Sequence, residues 1–277
     1  MKYKETAGGV LFQPEDDFDA GKIFDCGQCF RWNRQPDGSF IGVAGGRAAQ
    51  VIQKPEGVYI TGTREDFESY WRDYFDLDVS YAERRRAVSI DGYMTECCRR
   101  GEGIRILAQD RWETLCSFII SQCNNIPRIK KIVETFSDLY GERTELFGRE
   151  YRAFPTAERT ASLSEGDLAP LRSGYRAPYI LAAARQVAEG KLDLEALAKT
   201  DYPTAKRRLM ELPGIGEKVA NCVILFSLRM PSAFPVDVWI KKALREHYPQ
   251  GLDTSVFGRN AGLAQQYMFY SERYVGQ

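Results

Sequence analysis

Two periodicities divide this sequence. Up to about residue 100, short β-rich pieces such as "KIFDCGQCFRW", "SFIGVAGGRAAQVIQK" and "GVYITGT" alternate with Gly and Pro-Asp-Gly turn signals. This is the pattern of an antiparallel sheet built from hairpins. "REDFESYWRDYF" then opens a helix, and "YAERRRAVSIDGYMTECCRR" continues in the same style, with apolar residues at three- and four-residue steps. From about residue 105 the text is helical almost throughout: "WETLCSFIISQ", "IPRIKKIVETFSDLY", "APYILAAARQVAEGK", "YPTAKRRLMEL", "EKVANCVILFSL", "VWIKKALREHY" and "AGLAQQYMFYSERY". The expected fold class is α+β. An N-terminal antiparallel sheet domain with flanking helices covers 1–105, and a mainly helical domain covers 106–277.

Composition narrows the function classes. The 38 basic and 38 acidic residues of the 277 cancel, so a polyanionic partner would have to be met by local clustering of charge. Seven cysteines, at 26, 29, 97, 98, 116, 123 and 222, are an odd number scattered through apolar stretches, and they read as reduced cytosolic thiols. "CGQC" at 26–29 has no second cysteine pair after it and the chain has one histidine, His247, so zinc is not expected. The start, "MKYKETAGGV", lacks the apolar core of a signal peptide, and no apolar run reaches the length of a membrane span. A soluble, cytoplasmic protein is expected.

The stretch that carries chemistry is "LPGIGEKVANCVILFSLRMPSAFPVDV", residues 212–238. Gly214 and Gly216 flank Ile215 between the helical stretch ending in "RRLMEL" and the one starting at Glu217. Two glycines allow positive φ and a close backbone approach, and the unpaired amides of the second helix would suit a phosphate. A tight helix-helix turn with no ligand is the other reading. Lys218 lies at the positive end of the helix dipole, which disfavours a cation and, with partial burial, would lower its pKa towards that of a nucleophilic amine. Cys222 lies one turn further along the same face. A solvated surface lysine remains the plainer role. Pro235 breaks the preceding segment, and Asp237 falls at an N-cap position, where a carboxylate can cap the helix and also stabilise a developing cation.

Together these residues closely resemble the helix-hairpin-helix DNA glycosylases, whose signature is Leu-Pro-Gly-x-Gly-x-Lys followed some twenty residues later by Val-Asp. Leu212, Pro213, Gly214, Gly216, Lys218, Val236 and Asp237 all fall in place. Over nearly its full length the chain is similar to the 8-oxoguanine DNA glycosylases, as a bacterial member. The resemblance implies flipping and excision of 8-oxoguanine from duplex DNA, with Schiff-base lyase activity. Lys218 and Asp237 would be catalytic. Gly27, in "CGQCFRW", would offer its carbonyl to N7-H of the oxidised base; oxidation at C8 turns the N7 acceptor of guanine into a donor. Cys222, Pro235, Gln265 and Phe269 would complete the base pocket. Asn124 and Arg128 in "SQCNNIPRI", with Tyr175 and Arg176 in "SGYRAPYI", would fill the gap and face the orphaned partner base. Gly214, Gly216 and Val219 would bind the DNA backbone.

The chain also departs from the family. Cys123 stands where eukaryotic relatives have an asparagine, which implies looser selection of the partner base. Trp239 replaces a histidine that those relatives use near a phosphate. The absence of a closely spaced cysteine quartet argues against the iron-sulfur branch, and Lys218 against the 3-methyladenine branch. The resemblance thus implies a monomer acting on double-stranded DNA without a cofactor, except for a monovalent cation at the hairpin carbonyls. Two alternatives stay open: a glycosylase for another damaged base, and a non-catalytic module that only grips DNA.

Overall fold

A computed structural model describes residues 1–275. Six strands form one antiparallel sheet: β1 (Lys2–Thr6), β2 (Gly9–Gln13), β3 (Trp32–Arg34), β4 (Phe40–Ala44), β5 (Arg47–Lys54) and β6 (Gly57–Thr61), in the order β1-β2-β6-β5-β4-β3. Register is set by the buried face. Val10 lies opposite Ile60 and Phe12 opposite Val58, which puts apolar partners in pairs across β2 and β6.

The "KIFD" stretch, expected as strand, is the end of a helix, α1 (Ala20–Asp25). Asp19 caps it by accepting from the Lys22 amide at 3.0 Å, and Ile23 and Phe24 are buried. Helix formation here follows from the cap, which the apolar run concealed. The long helical region after β6 is likewise divided. A first piece runs as α2 (Arg64–Asp66), a π-helical turn (Phe67–Trp71) and α3 (Arg72–Tyr74); α4 (Tyr81–Val88) and α5 (Gly92–Arg100) follow. Ser80 and Asp91 accept from amides two places inside α4 and α5 respectively, so each starts a new helix.

Next come α6 (Arg111–Ile120) and α7 (Ile126–Tyr140). A hairpin absent from the helical reading follows, β7 (Arg143–Leu146) with β8 (Arg149–Arg152). Its two-residue turn has both Phe147 (φ 54°) and Gly148 (φ 72°) in the left-handed region, the geometry that matches strand twist. Then follow α8 (Ala157–Ala161), α9 (Ala177–Ala188), α10 (Leu194–Leu197), α11 (Tyr202–Met210), α12 (Glu217–Phe226), α13 (Val238–His247) and α14 (Ala261–Tyr270).

The chain forms two compact units, each discontinuous in sequence. One contains 1–28, 51–108 and 229–277, and includes α13 and α14; the other contains 29–50 and 109–228, and includes α6, α7, α9, α11 and α12. A buried cluster of the first unit joins Cys26, Tyr81, Met94, Phe234, Tyr267 and Phe269. In the second, α6 packs against α7, α9 and α12. The face of α6 that does so carries Leu115, Phe118 and Ile119, all buried.

Candidate active site

In the second unit, the hairpin between α11 and α12 presents Lys218. Gly214 has φ 76°, and a Cβ there would come within 2.3 Å of the Tyr179 ring, so no other residue fits without strain. Gly216 does not use a left-handed conformation. Its φ is −96°; it serves as the N-cap of α12 without a side-chain hydrogen bond, and it faces open space. That leaves helix-start amides uncapped on an exposed turn, which suits an anionic group. Val219, by contrast, is a buried side chain.

Lys218 is half-buried, one residue into α12. Its Nζ lies 5.1 Å above the centre of the Phe118 ring and donates to Ser121 Oγ at 3.2 Å. Cys222, a helical turn further on, is buried. The Lys218 amine is therefore directed at Phe118 and Ser121 at the end of α6.

The loop after α6 holds the partner-base candidates. Cys123 is exposed with φ 48°. Asn124 donates to the Ile120 carbonyl at 3.2 Å, and Asn125 caps α7 by accepting from the Arg128 amide at 3.0 Å. Arg128 is exposed and donates to the Arg172 carbonyl at 3.2 Å. Tyr175 is 51% exposed, whereas Arg176 is 4% exposed. Arg176 donates to the carbonyls of Gln122 (Nε, 2.9 Å), Cys123 (3.2 Å) and Ser173 (3.1 Å), and packs on the Tyr175 ring. In this structure Arg176 holds the loop together, and Tyr175 and Arg128 supply its exposed groups.

In the first unit, Asp237 caps α13, accepting at Oδ1 from the amides of Trp239 (3.0 Å) and Ile240 (2.9 Å). Pro235 is buried. Gln265 and Phe269 are buried on α14, 3% and 7% exposed, with Gln265 Oε1 accepting from Gln266 at 2.9 Å. Gly27 has φ 77°, directly after Cys26 of the same buried cluster as Phe269. Burial pushes the Cys26 thiol up to about 12, so it stays neutral at physiological pH.

Residues 10–115 match the family model for the 8-oxoguanine DNA glycosylase N-terminal domain, and residues 116–254 match that of the HhH-GPD superfamily of base excision DNA repair proteins. The chain belongs to this glycosylase family. It is 32% identical over 274 residues to the N-glycosylase/DNA lyase of Saccharomyces cerevisiae, covering 90% of this chain and 72% of the yeast protein. The 8-oxoguanine glycosylase/lyase of Clostridium acetobutylicum, solved with double-stranded DNA containing cytosine opposite 8-oxoguanine, superposes with a TM-score of 0.95 at 37% identity, over 100% of this chain and 99% of that one. The structure of MBOgg1 with a low-affinity DNA ligand also has a TM-score of 0.95, at 38% identity with full coverage of both.

Two residues of this HhH-GPD protein lie inside the quoted motifs but were given no role there. Gln28 is fully buried and its amide is fully used: Nε2 donates to the carbonyls of Ile23 (3.0 Å) and Arg105 (2.8 Å), and Oε1 accepts from the Leu107 amide (2.9 Å). It fastens the Gly27 turn to the 104–107 segment. The available signal was a polar side chain inside an apolar stretch. The other is Ser121, whose only signal was its place at the head of the Asn-rich loop. Among the described residues no group of three or more His, Cys, Asp or Glu side chains is placed to hold a metal ion, and no helix is long and apolar enough to cross a membrane.

Proposed function

We propose that this protein excises 8-oxoguanine from duplex DNA and cleaves the resulting abasic strand, with Lys218 as nucleophile and Asp237 as the stabilising charge. The observation that carries the reading is the half-buried Lys218 amine at the start of α12, directed by the Ser121 hydroxyl within a glycine hairpin. The lesion nucleotide is flipped at a cost of a few kcal/mol in lost stacking and pairing, offset by contacts to the backbone and the gap. Lys218 attacks C1′ as the base departs with the bonding pair, and the base takes up the proton that the new C–N ammonium loses. The Asp237 carboxylate, held rigid by two amides, faces the positive charge that builds on the sugar. The nitrogen pair then forms C1′=N while C1′–O4′ breaks and O4′ takes a proton from solvent, giving a protonated imine. Loss of a C2′ proton from that imine expels the 3′ phosphate.

Gly27 recognises N7-H through its carbonyl, while Cys222, Pro235, Gln265 and Phe269 enclose the base. Asn124, Arg128 and Tyr175 serve the gap and the partner base on the loop that Arg176 holds together, and Gly214, Gly216 and the Val219 amide serve the DNA backbone. Pro213, Gly214 and Gly216 are exposed, which fits a monovalent cation on hairpin carbonyls, and no step runs through it. The protein works as a monomer on chromosomal DNA in the cytoplasm, with no iron-sulfur cluster.

The test is incubation with duplexes carrying 8-oxoguanine opposite each normal base, with borohydride added to trap the imine. The wild type is expected to release base and form a trapped complex. Lys218→Gln is expected to bind DNA and do neither. A trapped complex from the variant overturns the assignment.

A further inference from the structure

Lys218 is a long, flexible side chain, and a nucleophile gains rate only when its lone pair is held in line with the reacting carbon. Phe118 provides the floor. Its ring stacks on Phe226 at 5.5 Å and 15° and meets Phe30 edge-on at 5.6 Å, so it cannot shift freely under Nζ. Ser121 provides direction. It is the C-cap of α6, 9% exposed, with its amide donating to the Ser117 carbonyl at 2.9 Å. Its Oγ lies 2.8 Å from the Phe118 carbonyl, an acceptor that takes the hydroxyl proton. What remains for Nζ, at 3.2 Å, is an oxygen lone pair. A serine whose proton is committed elsewhere accepts from the lysine and cannot donate to it.

We propose that Ser121 is the positioning residue for the nucleophile: it holds one N–H of Lys218 and keeps the nitrogen lone pair free of any protein donor. The inference rests on the reading of Lys218 given above. One N–H survives every step of that chemistry. The amine attacks with two, the ammonium formed at C1′ loses one proton to the departing base, and the protonated imine keeps one. Ser121 can therefore hold the same hydrogen from free enzyme to imine, and the bond strengthens as the nitrogen becomes positive. Ser121 touches neither sugar nor base in this scheme; it acts through Lys218.

The experiment uses the full chain and four variants, Ser121→Ala, Ser121→Cys, Ser121→Thr and Lys218→Gln. Single-turnover base release, borohydride trapping, Kd for an 8-oxoguanine duplex and Tm are read for each. Ser121→Ala is expected to slow base release and trapping by about 10- to 100-fold, with Kd and Tm close to wild type. Ser121→Thr, which keeps a hydroxyl, is expected to restore the rate to within a few-fold. Ser121→Cys keeps the shape with a much weaker acceptor and is expected to be slow, which decides the matter if the alanine variant does not fold. An alanine or cysteine variant as fast as wild type overturns the inference, as does a slow variant whose Tm falls in step and which threonine does not rescue. If those results come with a Lys218→Gln that traps nothing, Ser121 fails alone and the nucleophile stands. A Lys218→Gln that still traps removes both.

Discussion

Asp237 has an observed role and a proposed one, which one substitution can separate. Its Oδ1 caps α13 through two amides, and its charge faces the sugar in the proposed reaction. Asparagine caps a helix about as well as aspartate. Asp237→Asn is therefore expected to leave Tm nearly unchanged and to cut single-turnover base release by about 10-fold or more. Equal losses in both measurements would reduce Asp237 to a cap. Cys123 permits a second separation. It occupies the left-handed region at φ 48°, where asparagine is more at ease than other non-glycine residues. Cys123→Asn should therefore fold at least as well. It should also sharpen selection of the base opposite the lesion, since one good polar contact to a base is worth about 1 to 3 kcal/mol. Excision rates opposite C, A, G and T, compared between wild type and variant, check this; equal selectivity in the two would make Cys123 irrelevant. The places of Lys218 at the start of α12 and of Asp237 as the cap of α13 could be read from sequence because each belongs to a local pattern, a glycine turn and a helix cap. Ser121 could not, because its partner lies 97 positions away.

At the scale of elements, the long helices were legible because each repeats its apolar step for several turns and ends at an identifiable residue. α7 runs over Ile126–Tyr140 as its pattern implied, with Asn125 as cap. Short elements were not. The β7–β8 strands have four residues each, rich in Arg and Glu, and their turn places a phenylalanine where glycine or asparagine would have announced it. α6 also carries a pH-dependent feature. Burial beside Asp110 and Glu134 pushes Glu113 up to about 8 from 4.5, with the Arg31 guanidinium pulling the other way. The folded state thus binds this proton more tightly than the unfolded chain does. Between about pH 4.5 and 8 the unfolded state holds fewer protons, so stability falls as pH rises and the contribution is gone above the folded pKa. Tm measured from pH 5 to 9 is expected to decline for the wild type and to decline less for Glu113→Gln. A decline of equal slope in the two would assign the effect to other groups.

At the scale of the whole molecule, fold class followed from the two periodicities, but the assembly did not. Each compact unit draws on distant stretches, so that residues 229–277 belong with 1–28 and 51–108. Such pairing depends on complementary faces that no local window contains. Net charge was silent about the partner, because 38 positive and 38 negative residues sum to zero. Phosphate contacts are local, however, and each releases counterions. DNA affinity is therefore expected to fall steeply between about 50 and 200 mM salt, with log Kd linear in log salt. A flat response would argue against a grip on the backbone. The distribution of thiols has a practical consequence. Six of the seven cysteines are buried and Cys123 alone is exposed, on the loop that leads from Ser121 into α7. A maleimide dye added to the folded protein therefore has a single attachment point, and that point lies on the loop expected to face the orphaned base. The native chain labelled with one fluorophore is thus expected to report its encounter with damaged DNA, without an engineered cysteine.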